Sequence, residues 1–202
     1  MAEFALWGVL QLYKQGKFFA ENQRAHRWEK HRGPLELAGK TVCILGCGSV
    51  GAECAKRFEA FGCRVLGIAT GAREQEHFEA VYAMDSLMDT LPQADIVVLT
   101  LPLTEQTKHL FSRAAFEAMK PGSVLVNLAR GAIVDTNALT EALETKLGGA
   151  VLDVFEEEPL GENSPLWDME NVVLTPHNSF VGEGNKNRLF NLVLDHAKSW
   201  RD

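Results

Sequence analysis

The sequence predicts an α/β fold, a doubly wound parallel sheet with helices on both faces. Two patterns lead to this prediction. Short apolar segments alternate with helical patterns along most of the 202 residues, and a glycine-rich turn lies at the first junction between a predicted strand and the helix that follows it. Strands that are apolar on both sides are typical of parallel sheets covered by helices on both faces. A chain of this length has room for one substantial core.

The N-terminal segment has the pattern of a helix with a broad apolar surface. Over residues 3–20, large apolar side chains recur at helical spacing. They are Phe4, Leu6, Trp7, Leu10, Leu12, Tyr13, Phe18 and Phe19. Such a helix needs a surface to pack against, either the core of its own subunit or a second copy of the chain. Residues 21–39 are polar and include Gly33 and Pro34, which predicts a connector.

Seven strands and five further helices are predicted after the connector. The apolar segments that predict strands are residues 41–45, 64–68, 81–84, 95–101, 123–128, 150–154 and 172–175. The helical patterns, several of them ended by glycine or proline, cover residues 52–61, 86–91, 112–119, 136–147 and 183–200.

Composition excludes several classes of protein. The formal net charge of −7 leaves no basic excess to neutralise phosphates, which argues against a nucleic-acid-binding or membrane-surface protein. No apolar run is long enough for a membrane span and the N-terminus has no signal-peptide pattern, so we expect a cytoplasmic protein. In a reducing compartment the four cysteines are expected to be buried thiols. Cys47, beside a predicted helix N-terminus, could instead have a lowered thiol pKa.

Three glycines after the first strand have the spacing of a dinucleotide-binding turn. Gly46 permits the tight turn, Gly48 lets the backbone approach a pyrophosphate, and Gly51 lets the helix pack closely on the strand. The phosphates would then meet the amides at the start of the helix, next to Ser49 and Val50. We therefore predict a Rossmann-type dinucleotide-binding domain over residues 34–182, preceded by a helix and connector (1–33) and followed by a C-terminal helix (183–202).

The end of the second strand bears on the choice between NAD and NADP. An acidic residue there would bind the ribose 2′-hydroxyl, but the sequence has Thr70 followed by Arg73. Arginine is suited to bidentate contacts with a phosphate group, so we slightly favour NADP. The alternative is that Arg73 is a solvated turn residue, which leaves NAD open.

Three later segments place polar side chains just beyond predicted strands. They are residues 127–131 (NLARG), 152–159 (LDVFEEEP) and 174–178 (LTPHN), at the edge where open α/β sheets bind ligands. Together with residues 101–107 (LPLTEQT) and the glycine-rich turn, they closely resemble the D-isomer-specific 2-hydroxyacid dehydrogenase family, which includes phosphoglycerate, glycerate and D-lactate dehydrogenases. The resemblance covers nearly the whole chain, with the motifs in the same order.

The resemblance implies an oxidoreductase that transfers a hydride between a nicotinamide cofactor and a small 2-hydroxy or 2-oxo acid. Arg130 matches the substrate arginine, whose planar fork suits a carboxylate beside a carbonyl. His177 matches the catalytic histidine, the proton donor in reduction and the base in oxidation, and Glu158 matches its carboxylate partner. Glu156 and Glu157 are interpreted as surface residues. The other five histidines share no motif, so no metal site is expected.

The resemblance also implies which residues contact the cofactor. Asp153 matches a residue that contacts the nicotinamide carboxamide, although an Asp at a strand end is also a common turn cap. Thr100 stands where many members have a polar residue or histidine, which suggests a hydroxyl near the cofactor. The full predicted set is Gly46, Gly48, Ser49, Val50, Gly51, Thr70, Arg73, Thr100, Leu101, Pro102, Thr107, Leu128, Ala129 and Asp153.

Most of the family's substrate domain is missing from this sequence, and only the C-terminal helix is expected as a remnant of it. Whether the chain is a natural short protein or a fragment stays open. Two functions therefore remain: an oxidoreductase, or a nucleotide-binding dimeric module with little or no turnover, since the family resemblance includes corepressors. In relatives the N-terminal helix lies at a dimer interface, which favours a homodimer over packing within one subunit.

Overall fold

The seven predicted strands form one parallel sheet. In the computed structural model, which describes residues 1–199, the strands are β1 (Thr41–Leu45), β2 (Arg64–Ala69), β3 (Ala80–Ala83), β4 (Ile96–Leu99), β5 (Val124–Asn127), β6 (Gly149–Leu152) and β7 (Val172–Leu174). Their order is β3-β2-β1-β4-β5-β6-β7, and all six pairings are parallel. The predicted doubly wound fold is confirmed, with strand limits within two residues of those expected.

Seven α-helices accompany the sheet within the described residues. They are α1 (Ala2–Tyr13), α2 (Gly16–Arg24), α3 (Ser49–Ala60), α4 (Leu87–Thr90), α5 (Arg113–Ala118), α6 (Thr136–Thr145) and α7 (Asn185–Ser199). The predicted C-terminal helix is confirmed up to Ser199, and residues 200–202 lie outside the described part of the chain. None of these helices is long and apolar enough to cross a membrane.

The prediction of one continuous helix over residues 3–20 is wrong. The helix breaks at Gln15, whose φ of 57° is left-handed, and α2 then continues to Arg24, so the connector begins later than expected. The break has a tertiary cause. The carbonyl oxygen of Tyr13 accepts the amide of Leu35 at 2.8 Å, so the connector satisfies the end of α1 in place of a further helical turn.

Each face of the sheet has its own apolar core because side chains alternate along the strands. On β1, Val42 and Ile44 belong to one core, whereas Cys43 and Leu45 belong to the other. Helices α1 and α3 cover the first face, and α5 and α6 cover the second. Burial on both faces explains why the strands are almost wholly apolar.

Helix α1 is a core helix on one side and an exposed helix on the other. Ala5 and Val9 are fully buried, and the helix comes so close to β6 that a Cβ on Gly8 would lie 2.3 Å from a side-chain carbon of Val151. On the outer side Trp7 is 42% exposed. Packing within one subunit therefore accounts for only part of the apolar surface of α1.

The strand order reverses at β1, since β2 and β3 lie on one side of it and β4 to β7 on the other. Open α/β sheets bind ligands in the crevice beyond the carboxyl ends of the strands at such a reversal. The glycine-rich turn follows β1, and the polar motif segments follow β4, β5, β6 and β7. The fold therefore brings all of them to one edge of the sheet.

Candidate active site

The glycine-rich turn between β1 and α3 has a shape that only glycine permits at two positions. Gly46 has a φ of 96°, and a Cβ there would lie 2.7 Å from the amide nitrogen of Leu101. A Cβ on Gly51 would lie 2.1 Å from the carbonyl oxygen of Gly46, so α3 packs directly against the end of β1. A Cβ on Gly48 would meet no protein atom within 4 Å. The open space before the amides of α3 fits a pyrophosphate, and no contact within the protein requires glycine at 48.

Arg73 lies against this turn. Its Nη2 donates to the carbonyl oxygen of Cys47 at 2.9 Å, and Gln75 Nε2 donates to the same oxygen at 3.0 Å. Arg73 Nε also donates to Gln75 Oε1 at 3.1 Å. Thr70, directly after β2, is exposed. The end of β2 therefore presents a guanidinium and an amide beside the turn, where NAD-preferring sites have a carboxylate.

The Cys47 thiol is buried beneath the turn. Its Sγ lies 3.8 Å from the carbonyl oxygen of Ile44 and 3.7 Å from that of Ile68. Burial raises the pKa of this thiol to about 11, against smaller opposing effects of the Arg73 charge and the Ile68 hydrogen bond. The alternative of a lowered thiol pKa is wrong, and all four cysteines are buried and free.

Two threonine hydroxyls predicted near the cofactor are bonded within the protein. Thr100 Oγ1 donates to the carbonyl oxygen of Gly46 at 2.7 Å. Thr107 Oγ1 donates to the carbonyl oxygen of Pro102 at 2.8 Å and accepts the amide of Thr104 at 2.7 Å. These bonds shape the loop after β4, residues 100–112. The predicted contacts of both hydroxyls with a cofactor stay predictions.

Arg130 lies in a loop after β5, residues 128–135, which we call the Arg130 loop. The buried side chain of Asn127 accepts the Ala129 amide at 3.1 Å and donates to the Arg130 carbonyl oxygen at 3.1 Å. Arg130 is exposed, and its Nη1 donates to the Ala129 carbonyl oxygen at 2.7 Å. Sequence reasoning missed the role of Asn127, although a polar residue ending a buried apolar strand was a usable signal.

Asp153 fixes the loop that carries His177. Asp153 is 1% exposed, and its two carboxylate oxygens accept the hydroxyl of Thr175 at 2.6 Å and the amides of Asn178 and Ser179 at 2.7 and 2.9 Å. The His177 amide donates to the Asp153 carbonyl oxygen at 2.8 Å. These bonds hold His177 at a φ of 50°, a left-handed conformation that costs roughly 1–2 kcal/mol. The contact predicted between Asp153 and the nicotinamide stays a prediction.

His177 and Glu158 form a hydrogen-bonded pair. His177 Nδ1 lies 2.8 Å from Glu158 Oε2, and Glu158 Oε1 accepts the amide of Phe155 at 3.0 Å. Partial burial acts to raise the pKa of the Glu158 carboxyl, but the bonds from His177 and Phe155 outweigh it and the pKa is lowered. Glu158 is therefore ionised at neutral pH and holds Nδ1 of the imidazole, which leaves Nε2 for a substrate.

Arg130 and Glu158 are linked through backbone. A Cβ on Gly131 would lie 1.8 Å from the carbonyl carbon of Phe155, so the Arg130 loop lies directly on the loop after β6, residues 153–159, which we call the Glu158 loop. The three predicted catalytic residues thus occupy loops after β5, β6 and β7. An apolar cavity of about 630 Å³ adjoins His177 and Glu158; its other lining residues are Phe155, Pro159, Leu160, Trp167, Leu174, Thr175 and Pro176.

The remaining predicted cofactor residues lie along the same crevice edge. Ser49 and Val50 form the first turn of α3, Leu101 and Pro102 follow β4, and Leu128 and Ala129 follow β5. Among the side chains that the structure describes, no group of three from His, Cys, Asp or Glu is placed to hold a metal ion.

A sequence model of a protein family matches most of this chain. The model described as "D-isomer specific 2-hydroxyacid dehydrogenase, NAD binding domain" matches residues 6–179. The chain belongs to this family. The resemblance predicted from the sequence motifs is therefore confirmed, together with the Rossmann-like fold and the NAD(P)-binding class of the domain.

Curated members of the family match this chain over only part of their own length. Glyoxylate reductase of Aeropyrum pernix is 45% identical over 144 residues, which are 71% of this chain and 43% of that protein. Glyoxylate/hydroxypyruvate reductase B of an Enterobacter species is 40% identical over 183 residues, 86% of this chain and 55% of that protein. The chain spans about half the length of the curated relatives that it matches.

A solved structure matches the whole chain. A probable 2-hydroxyacid dehydrogenase from Rhizobium etli, in complex with NADP, HEPES and L(+)-tartaric acid, has a TM-score of 0.88 and 31% sequence identity. The match covers 100% of this chain and 64% of that one. That relative binds the cofactor that the end of β2 led us to favour slightly.

Proposed function

We propose that this family member reduces small 2-oxo acids to D-2-hydroxy acids. In the reverse direction it oxidises the D-2-hydroxy acids to 2-oxo acids. The observation that supports this most strongly is the His177–Glu158 pair at 2.8 Å, adjoining the Arg130 loop on the sheet edge that carries the glycine-rich turn. A nicotinamide dinucleotide would supply or accept the hydride when bound.

The three side chains have complementary tasks. Arg130 pairs with the substrate carboxylate and orients the carbonyl beside it. His177, with Nδ1 held by Glu158, directs Nε2 outward, gives a proton to the carbonyl oxygen in reduction and takes it back in oxidation. The ionised Glu158 accepts from Nδ1 and so fixes the tautomer and the plane of the ring.

We propose NADP as the preferred cofactor, with NAD also bound. The amides of Ser49 and Val50 would hold the pyrophosphate at the start of α3. Arg73, which already lies at the turn, would bind the 2′-phosphate. We further propose residues 34–182, which contain all seven strands, as the dinucleotide-binding unit, and a cytoplasmic location for the protein.

The test is substrate-dependent oxidation of NADPH and NADH by the 202-residue chain, with glyoxylate, hydroxypyruvate, pyruvate and 3-phosphohydroxypyruvate. We expect at least one acid to be reduced much faster by the wild-type chain than by His177→Ala. Equal rates for every acid in both proteins would overturn the proposal.

A nucleotide-binding module with little turnover is the second candidate. It is favoured by the exposure of the catalytic pair, whose side chains are 43% and 36% exposed, because hydride transfer profits from exclusion of water. Helix α7 also favours it, because this helix exposes Leu189, Phe190 and Val193. Such an apolar surface suits a module whose role is contact with a partner. This candidate predicts NADPH binding at micromolar concentration with turnover no better than that of His177→Ala.

We also propose a homodimer in which a second copy covers the outer sides of α1 and α2 and the start of the connector. Trp7, Phe19 and Trp28 are exposed there, Trp28 to 96%, and large exposed aromatic patches are typical of interfaces. Sedimentation at micromolar concentration should give a dimer for the wild type and a monomer for Trp7→Glu. A monomeric wild type would contradict this proposal.

A further inference from the structure

Glu156 links three loops at the catalytic edge. Its Oε2 accepts the amide of Thr136, the first residue of α6, at 2.8 Å. Its Oε1 lies 2.6 Å from Nε2 of His109. Thr136 directly follows the Arg130 loop, His109 belongs to the loop after β4, and Glu156 itself belongs to the Glu158 loop. One carboxylate therefore connects segments that follow β4, β5 and β6.

The His109 segment is in turn fixed to the Arg130 loop by backbone hydrogen bonds. The amide of His109 donates to the Ala132 carbonyl oxygen at 2.8 Å, and the amide of Phe111 donates to that of Ile133 at 3.0 Å. The amide of Asp135 donates back to the Phe111 carbonyl oxygen at 3.0 Å. These bonds fix the backbone of His109, whose imidazole contacts the Glu156 carboxylate.

Glu156 is ionised in this setting. Partial burial acts to raise the pKa of its carboxyl, but the bonds from Thr136 and His109 outweigh it and the pKa is lowered. A negative charge is also favourable at the N-terminus of a helix, where Asp135 caps α6 by accepting the Ala138 amide at 3.0 Å. Glu156 is exposed, as expected of the surface residue that the sequence predicted. The sequence did not predict its two specific partners, the Thr136 amide and the His109 imidazole.

The contacts lead from Glu156 to both ends of the catalytic site. The peptide between Phe155 and Glu156 is the one against which Gly131 packs, with a Cβ on Gly131 only 2.4 Å from the Glu156 nitrogen. On one side of this contact is Arg130. On the other side, the Phe155 amide donates to Glu158 Oε1. A displacement of this peptide would therefore change the position of Glu158 relative to Arg130.

We propose that Glu156 is a positioning residue that keeps the Arg130 loop against the Glu158 loop, and so sets the separation of the substrate-binding guanidinium from the acid–base pair. Its consequence for catalysis rests on the proposed function, whereas its effect on the two loops does not. Glu157 offers a matched control, since it has the same charge and is exposed, with no hydrogen bond or ion pair to another described residue.

The first arm of the test is amide hydrogen exchange of the whole chain, followed by NMR. In Glu156→Ala, exchange should become about tenfold faster or more at the Phe155 amide, which donates to Glu158, and at the Val134 amide, which donates to Gly131. Amides of β1 should be unchanged. Glu156→Gln, which keeps an acceptor for Thr136, should restore part of the protection, and Glu157→Ala should match the wild type.

The second arm separates positioning from a merely structural effect. Glu156→Ala should raise KM for the 2-oxo acid and lower kcat, while Kd for NADPH and the values for Glu157→Ala stay at those of the wild type. Unchanged exchange in Glu156→Ala would overturn the inference, and so would altered exchange with unaltered KM and kcat.

Two further outcomes are distinguishable. If the wild type reduces none of the acids, the proposed function fails, while the exchange comparison with Glu157→Ala still decides whether Glu156 holds the two loops together. If Glu156→Ala does not fold, His109→Ala removes one of the two partners with less disturbance. It should accelerate exchange at the same two amides, and wild-type exchange there would overturn the inference.

Discussion

The glycine-rich turn and the acid–base loops lie on the same sheet edge but are held in place by different forces. The turn depends on backbone sterics, because Gly46 and Gly51 leave no room for a Cβ. The acid–base loops depend on buried polar side chains, above all Asn127 and Asp153, which bind loop amides and carbonyls. Substitutions in the turn should therefore act on folding and nucleotide binding, and substitutions in the loops on chemistry and loop order.

The largest effect is expected at the side chain that transfers the proton. His177→Ala should lower kcat by roughly a hundredfold to ten-thousandfold, the usual contribution of a general acid. Kd for NADPH should not change, because the turn does not depend on the imidazole. Steady-state kinetics and a fluorescence titration give the two values, and a matching loss of NADPH affinity would erase the distinction between the two regions.

Within the turn, alanine substitution of two glycines should affect two different properties, the stability of the fold and the binding of NADPH. Gly46→Ala should lower the free energy of unfolding by about 3 kcal/mol, because alanine would be forced into a left-handed conformation and against the Leu101 backbone. Gly48→Ala should change it by less than about 1 kcal/mol and instead weaken NADPH binding, since the space there is open. Urea unfolding and NADPH titration of both variants test this, and normal NADPH affinity of Gly48→Ala would count against the pyrophosphate site.

Substitution of Asp153, which fixes the His177 loop, should lower the free energy of unfolding somewhat less than Gly46→Ala does. Asp153→Ala leaves the donors of Thr175, Asn178 and Ser179 without their acceptor, so the free energy of unfolding should fall by about 2 kcal/mol. Asp153→Asn, which keeps one carbonyl oxygen, should lie between this variant and the wild type. An Asp153→Ala protein as stable as the wild type would show that buried polar contacts do not hold this loop.

The choice of cofactor should depend on one side chain beside the turn. Arg73→Ala should raise Kd for NADPH by about tenfold, the loss of one charge-assisted contact, and leave Kd for NADH unchanged. Gln75→Ala removes the other donor to the Cys47 carbonyl oxygen. It should change Kd for NADPH and Kd for NADH by the same factor. An equal loss for both cofactors in Arg73→Ala would leave Arg73 with a structural role alone.

The smallest effect is expected in the dependence of stability on pH. Folding lowers the pKa of Glu158 from its ordinary value of 4.5, so its contribution to stability is complete above that value and is lost as the pH falls through the lowered pKa. Glu158→Gln should therefore flatten the loss of stability below about pH 4.5. Urea unfolding at a series of pH values measures this, with Glu157→Gln as the control that should keep the wild-type slope.

The sequence predicts the turn better than it predicts the loops, for a physical reason. Strand patterns and glycine spacing are local, so β1, the turn and α3 are found within a few residues. The break at Gln15 depends on Leu35, 20 residues further along the chain. Glu156 binds partners 20 and 47 residues away. No local rule relates such positions, and only the family resemblance identified Arg130, Glu158 and His177.

The product of the reaction tests the central claim most directly. With NADPH and whichever of hydroxypyruvate, pyruvate and 3-phosphohydroxypyruvate it reduces fastest, the 202-residue chain should form the D-2-hydroxy acid, identified by chiral chromatography, and His177→Ala should form it at least about a hundredfold more slowly. Absence of a reduced product from every acid, or a chiral product of mixed configuration, would contradict the assignment of this edge of the sheet as a D-2-hydroxyacid dehydrogenase site.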